Sequence, residues 1–407
     1  MNSTLLPIAK EQRLTNIDAL RGIAVCGILF ANNIWEFSHP MLGHYSTWMI
    51  LHNAWNLGAF HMLDLIFLGH FRTIFSFLFG FSMVIMMNRI QAKNQPFLPF
   101  YIKRLSTLAI LGFAHAVLIW DGDILVEYAV VGFVMLFFRN RSVKFLISMA
   151  FLLLFIFGSL AIIPELNPPP AQSTFKAELS GKEKYEKTKL LYTSGSYKEI
   201  TEARVSNWEL SGTSVLAGTL AMFLFGIAFA KSGVLHDSES HVRFWKKVCL
   251  GSFLTGVPLL VMNHYLALEL YRGQEVTQGL YYIIRRARQY ISDPAICFFY
   301  ISGFVLLTRH AWWKKLIKPF EYMGKMAFTN YLMQSILLTT LFYGYGLGLF
   351  DKFNMVFCYL IAIALIITQM AASRLWLKYF LYGPFEWLWR SITYSKILQI
   401  RNHSNHI

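Results

Sequence analysis

Apolar residues in this chain come in blocks close to twenty long, at roughly 19–38, 71–89, 105–120, 124–138, 143–163, 213–231, 247–269, 291–308, 326–345 and 355–373. A helix rising about 1.5 Å per residue needs about twenty residues to cross roughly 30 Å of hydrocarbon. The pattern therefore predicts an all-α, polytopic integral membrane protein with about ten transmembrane helices (9–11) and both termini on one face. Residues 39–70 fit less cleanly, because LHNAWNLGAFHMLDLIFLG is apolar but interrupted by histidines and Asp64. They read as an interfacial or re-entrant segment, or as an extra span.

The blocks divide the chain into an N-terminal transmembrane bundle over 1–163, an extracytoplasmic helical loop over 164–211 and a C-terminal bundle over 212–407. The loop opens with PELNPPP and then carries seven lysines and arginines against seven glutamates. Lys182/Glu186 and Glu183/Lys187 stand at helical i,i+4 spacing, which predicts a solvated helical cap.

Composition sharpens this picture. Of 407 residues, 56% are hydrophobic and only 14% charged, against roughly 25% charged in an ordinary soluble domain. A soluble fold is excluded. A net charge of +15 would suggest nucleic acid in a soluble protein. Here the basic residues flank the apolar blocks, so they orient the chain, and membrane lipids rather than nucleic acid are the expected surroundings. Placing the N-terminus in the cytoplasm puts Lys93, Lys103, Arg104, Arg139, Arg141, Lys231, Lys325, Arg374 and Arg390 on the inner face. Arg272, Arg285, Arg286 and Arg288 fall on the outer face against this rule, so either a span is miscounted or they meet something anionic. Cys26, Cys249, Cys297 and Cys358 have no Cys-x-x-Cys spacing and suggest neither a disulfide framework nor a zinc site.

Ionisable groups at membrane depth are costly and are the natural candidates for function. Asp18 and Arg21 open the first block, and Asn32 lies eleven residues beyond Arg21, nearly on the same helix face and roughly 16 Å deeper. Asp18 also reads as a helix cap and Arg21 as a snorkelling side chain. A second cluster holds His115, Asp121, Asp123 and Glu127, where Gly122 permits a turn that folds a carboxylate back onto the imidazole. Such a histidine is a competent general base; the alternative is a packing histidine beside a solvated loop tip. His52, His61, Asp64 and His70 fit no single helix face, and no metal is expected. Asn330 and Gln334, one turn apart, read as interhelical glue or as acceptor contacts. No phosphate-cradling GxxxxGK and no G-x-S-x-G elbow occurs, which disfavours ATP-driven transport and serine-triad hydrolysis.

The stretches DALRGIAVCGILFANN, FRTIFSFLFGFSM, GFAHAVLIWDGDILVEYAVVGF, YTSGSYKEITEARVSNW and MAFTNYLMQSILLTTLFYGYGLGLF, with YGPFEWLWRSITY, resemble in this order the YeiB-type family of bacterial integral membrane proteins. The resemblance covers nearly the whole chain and implies a multi-pass protein of the bacterial inner membrane. Through its N-terminal half that family is similar to transmembrane acyltransferases, including heparan-alpha-glucosaminide N-acetyltransferase and bacterial sugar O-acyltransferases. In the O-acyltransferases an Asp-x-Leu-Arg-Gly opening is followed by a histidine eleven residues after the arginine. Asp18, Leu20, Arg21 and Gly22 match, but Asn32 holds the histidine's place. The heparan-type enzymes use a His-x-x-Trp-Asn motif, which His52, Trp55 and Asn56 resemble, so the resemblance leaves His52 and His115 both open as base.

What the resemblance implies is transfer of an acyl group, acetyl in the simplest case, from cytoplasmic acetyl-CoA or another acyl-CoA to an outer hydroxyl or amine on a small molecule, glycan or lipid. Arg21, with Asp18, would hold the donor's phosphates, and Asn32 would face the developing oxyanion. Asp123 would orient His115, and Arg285 and Arg286 would select an anionic acceptor. A homodimer stays open. The competing readings are a proton-coupled transporter and a non-catalytic scaffold.

Overall fold

A computed structural model describes residues 15–39, 54–166, 174–235, 239–271 and 278–402. His52 lies outside them. The described chain is α-helical, its only β feature a single bridge between Phe380 and Arg401. Its helices are α1 Thr15–Asn32, α2 Ala54–Met62, α3 His70–Gln91, α4 Phe97–Leu118, α5 Leu125–Met135, α6 Val143–Leu166, α7 Thr174–Ser194 and α8 Tyr197–Asn207. There follow α9 Thr213–Ser232, α10 Val242–Tyr271, α11 Gln278–Ala287, α12 Asp293–Leu307, α13 Ala311–Lys325, α14 Ala327–Phe342, α15 Met355–Tyr379 and α16 Pro384–Thr393.

Among the described residues, seven helical segments are long and apolar enough to cross a membrane: Ala54–Gln91, Phe97–Leu118, Val143–Leu166, Thr213–Ser232, Val242–Leu270, Gly279–Leu307 and Met355–Tyr379. The chain is thus an all-α, multi-pass membrane protein. Three more of the blocks expected to cross are also helical but shorter or more polar: α1 carries Asp18 and Arg21, Leu125–Phe138 is a short apolar helix, and α14 has 16 residues. The segment read as interfacial, re-entrant or an extra span is, from residue 54 onward, helix running into α3 with a sharp bend. Gly69 makes the bend, with φ at +83°, in the region that favours glycine.

Helices from both halves of the chain pack together. One close crossing joins α3 to α9, where a Cβ on Gly80 would stand 2.0 Å from the Phe223 carbonyl oxygen and one on Gly226 2.0 Å from that of Phe77. Small residues on both sides let the two backbones touch, as membrane helices commonly do. The start of α1 meets α13 in the same way: a Cβ on Gly22 would lie 2.0 Å from the Phe320 carbonyl oxygen.

Two short helices close the end at which α1 begins. In α13, Trp312, Lys314, Lys315 and Leu316 are exposed while Ile317 and Met323 are buried. In α16, Glu386 turns inward and caps α14: its Oε1 accepts hydrogen bonds from the Phe328 and Thr329 amides at 2.7 and 3.0 Å, and its Oε2 accepts from the Thr329 hydroxyl at 2.5 Å. A carboxylate suits the partly positive N-terminus of a helix. Glu386→Ala leaves those buried amides unpaired, and a loss of about 1–2 kcal/mol is expected for a lost cap, read as a fall in the thermal midpoint of the purified protein.

The predicted cap over 164–211 is helical where described, as α7 and α8. Ser196 and Glu199 form a capping box at the start of α8, each side chain bonded to the other's backbone amide. The cap docks at the end where α1 finishes, through Tyr185 and Lys189, which meet Asp351 Oδ2 at 2.6 and 2.7 Å, while Asp351 Oδ1 lies 3.1 Å from His39 Nδ1. Burial works against a charged His39, but Asp351 and the Cys358 sulfur beside its Nε2 outweigh it and lift the imidazole from 6.5 to about 9. Burial likewise opposes ionised Asp351, yet His39, Lys189 and Tyr185 hold its carboxyl at about 2 instead of 3.8. The His39 contribution is complete below pH 6.5 and lost as pH rises through about 9; that of Asp351 is complete above pH 3.8 and lost as pH falls through about 2. Trypsin should therefore cut at Lys182–Lys189 faster at pH 9.5 than at pH 6.5 after correction for its own pH profile, and Asp351→Asn should abolish the difference.

Candidate functional site

Inside the bundle, at the end where α1 begins, lies a cavity of about 250 Å³ enclosed by α1, α3, α4, α5, α13, α14 and α16. Its mouth is cationic: Arg21, Arg89, Arg104, Lys325 and Arg390 reach it, against the carboxylates of Asp18 and Glu386. Arg21 Nη1 donates to Asp18 Oδ1 at 2.8 Å and Nη2 to the Ser82 hydroxyl at 3.2 Å. The Arg104 guanidinium sits 3.6 Å over the Trp389 ring, whose indole N–H donates to the Arg104 carbonyl at 2.9 Å. Arg390 lies 4.9 Å from the Tyr382 ring centre. Because Glu386 is committed to the α14 amides, Asp18 is the one other carboxylate on the wall, and the mouth keeps a cationic excess. Beyond the mouth the wall turns apolar and aromatic, with Phe75, Leu78, Phe79, Ile85, Leu108 and Phe328, and it ends at Ile124, Leu125, Tyr128 and Tyr331. A cationic rim on an apolar shaft matches an amphiphile with an anionic head.

Just behind that inner wall stands the predicted histidine–carboxylate pair. His115 Nδ1 lies 2.9 Å from Asp123 Oδ1, while Asp123 Oδ2 accepts from the Leu125 and Val126 amides at 2.9 and 3.1 Å. The turn anticipated at Gly122 brings the two side chains together, and the carboxylate also caps α5. The other ring nitrogen, Nε2, is buried and has no hydrogen-bond partner. The His115 ring centre is 5.5 Å from that of Tyr331, and the cavity wall formed by Tyr331 and Leu125 separates it from the shaft.

The other candidates are scattered. Asn32 is not part of the cavity wall; its neighbour Asn33 is the buried amide, donating to the Cys358 carbonyl at 2.7 Å. Asn330 bonds the Met323 carbonyl and Ser373, and Gln334 bonds Gln369 at 2.9 Å, so both amides tie α14 to its surroundings. Glu127 is buried with its Oε2 unpartnered. Asp121 lies in the turn after α4, and burial raises its carboxyl pKa. Arg285 is exposed, and Arg286 pairs with Glu165 at 3.1 Å. Among the described residues no cluster of histidine, cysteine and carboxylate suited to a metal is found.

His61, Asp64 and His70 belong to a second buried array whose distant partners sequence reasoning missed. Asp64 accepts from Arg288 Nη1 at 2.5 Å and from His264 Nδ1 at 2.6 Å, and His264 Nε2 lies 2.6 Å from His61 Nδ1. The chain continues through Asp293, 3.5 Å from both Arg288 Nε and His70 Nε2. Two π-helical turns, Leu63–Phe67 and Arg288–Ser292, carry Asp64 and Arg288 into this contact. His61, Asp64 and His70, grouped in the sequence, and the clustered arginines were its local signals; what could not be read is that His264, Arg288 and Asp293 complete it.

A family model described as "Protein of unknown function (DUF418)" matches residues 229–396. Over nearly the full length, the chain is 36% identical to the uncharacterized protein YxaH of Bacillus subtilis (strain 168), covering 96% of this chain and 97% of the relative. It is 30% identical to the uncharacterized protein YeiB of Escherichia coli (strain K12), covering 94% and 96%. It is also 25% identical to an uncharacterized 39.9 kDa protein of Bacillus acidopullulyticus, covering 96% of each. With two relatives this similar from end to end, and the DUF418 region in its second half, the chain belongs to the YeiB-type family of membrane proteins.

Proposed function

We propose that this protein is a membrane acyltransferase that takes an acyl, most simply acetyl, group from acyl-CoA at the end where α1 begins and passes it to a hydroxyl or amine reaching His115 from the opposite side. The observation that carries the reading is the juxtaposition of a five-cation mouth, an apolar shaft and a buried histidine–aspartate pair behind the shaft's inner wall. By the excess of lysine and arginine at that end, it faces the cytoplasm of a bacterial inner membrane, with both termini inside.

The donor's phosphates and nucleotide lie at the mouth on Arg21, Arg104, Lys325 and Arg390, where guanidinium forks suit phosphate oxygens. The pantetheine arm and acyl group occupy the shaft. Rotation of Tyr331 opens the wall to His115. His115 Nε2 then removes the acceptor's proton as its oxygen or nitrogen attacks the thioester carbonyl carbon. The new C–O or C–N bond forms, the C–S bond breaks, and the proton passes to the departing CoA thiolate. Asp123 orients the imidazole and stabilises its charged form. His52 and Asn32 take no part in this version.

Membranes enriched in the protein, incubated with acetyl-CoA labelled in its acetyl group, should transfer label to a membrane or envelope component. Membranes carrying His115→Ala should not; equal labelling by both would remove His115 as the base, and no labelling above that of membranes lacking the protein would end the proposal. The buried chain from His61 through Asp64 and Arg288 to His70 favours a second reading, a proton-coupled carrier. That reading predicts substrate accumulation driven by a pH gradient and no saturable acetyl-CoA binding.

A further inference from the structure

The arginines expected to meet an anionic acceptor, Arg285 and Arg286, lie on the surface or are already paired, and Arg288 is bonded to Asp64. The side chain with unused capacity is Arg204, on α8 beneath the cap. It is 0% exposed, and its Nε and Nη2 have no hydrogen-bond partner. Nη1 donates to the Val117 carbonyl at the end of α4, at 3.3 Å. Two other buried hydroxyls of the cap, Thr193 Oγ1 and Thr201 Oγ1, are unpartnered as well. Thr201 precedes Arg204 by three residues and so shares its helix face.

Unpaired buried donors cost about 1–3 kcal/mol each and are rare in folded proteins. Three side chains of the cap, one of them a guanidinium, thus keep polar groups without a partner. The acidic group nearest in effect, Asp121, forms no ion pair with Arg204, and its burial favours the neutral carboxyl. Tyr345 hydrogen-bonds the guanidinium and Tyr197 lies with its ring centre 5.7 Å from it, which leaves Nε and Nη2 as the donors without a partner. The location bears on chemistry. Tyr197 and Arg204 bond the last carbonyls of α4, the helix whose final turn carries His115.

We infer that Arg204, with Thr201 and Thr193, binds an oxyanion, a phosphate or carboxylate, carried by the molecule that approaches His115 from beneath the cap. This deepens the acyl-transfer reading by giving the acceptor a chemical class, an anionic hydroxyl or amine compound, and takes the word "acceptor" from that reading. The anion site itself stands without it.

The test uses full-length protein in phosphatidylcholine nanodiscs, titrated with glycerol phosphate and, separately, with uncharged glycerol. Saturable binding of glycerol phosphate but not glycerol, weakened about tenfold or more by Arg204→Gln as expected for a lost charge-assisted contact, supports the site with a soluble source for the anion. If instead native mass spectrometry of protein extracted from cell membranes finds phosphatidylglycerol retained by the wild type and lost in Arg204→Gln, the anion is a lipid headgroup. Thr201→Val, which keeps the contact to Val117, should weaken whichever ligand is found and serves if Arg204→Gln does not fold. Neither ligand bound, or either bound equally by wild type and variants, overturns the inference. Acetyl-CoA binding measured on the same preparations reports separately on the donor site, and its absence would remove the transferase reading while leaving the anion result intact.

Discussion

Arg21→Ala should weaken acetyl-CoA binding by about tenfold to a hundredfold, the worth of one charge-assisted contact of roughly 1.5–3 kcal/mol. Two effects add. The guanidinium no longer meets a phosphate, and Asp18, which it holds at 2.8 Å, becomes an unpaired carboxylate in the mouth. Arg21→Lys keeps the charge but loses the fork, so it should fall between wild type and alanine. Arg390→Ala should act in the same direction, and raising the salt concentration should weaken wild-type binding more than that of either variant. Equilibrium binding of labelled acetyl-CoA to detergent-purified protein measures all of these. Equal affinity in wild type and Arg21→Ala would remove the phosphate assignment.

The second large effect belongs to His115. His115→Ala should lower acetyl transfer by about 10²–10⁴, the usual worth of a positioned general base, while acetyl-CoA affinity stays unchanged, since the imidazole is not part of the cavity wall. Asp123→Asn tests the positioning role. It retains an oxygen that can cap α5 but cannot stabilise the imidazolium, so activity should drop and its dependence on pH should shift, with fold and donor binding preserved. If His115→Ala transferred acetyl at the wild-type rate, the base would have to be sought elsewhere.

The features legible in the sequence are those fixed by neighbours along the chain. Asp18 and Arg21, three residues apart on a helix, are found paired, and Gly122 does turn Asp123 back onto His115. Helical spans follow from the length of apolar blocks, and the cap's charge pattern pointed to helix. What could not be read depends on packing between distant segments. Arg104, Lys325 and Arg390 look like ordinary flanking charges, and only the folding of α4, α13 and α16 around α1 brings them to one mouth. Asp64 meets His264 and Arg288 across some 200 residues, through π-helical turns that no periodicity announces. Asn32 illustrates a nearer limit. Helical spacing put it on the Arg21 face, yet the cavity ends short of it, and the buried amide is Asn33, at the start of a π-helical turn.

The most direct measurement is photo-crosslinking of the purified protein with an acyl-CoA whose acyl chain bears a diazirine, followed by peptide mapping. Crosslinks that saturate, that excess CoA abolishes, and that fall on shaft residues such as Phe75, Phe79 or Leu108 are the expected result. Labelling that never saturates, or that falls only on lipid-facing positions such as Phe151 and Phe155, would show that the shaft does not hold the donor and would contradict the account.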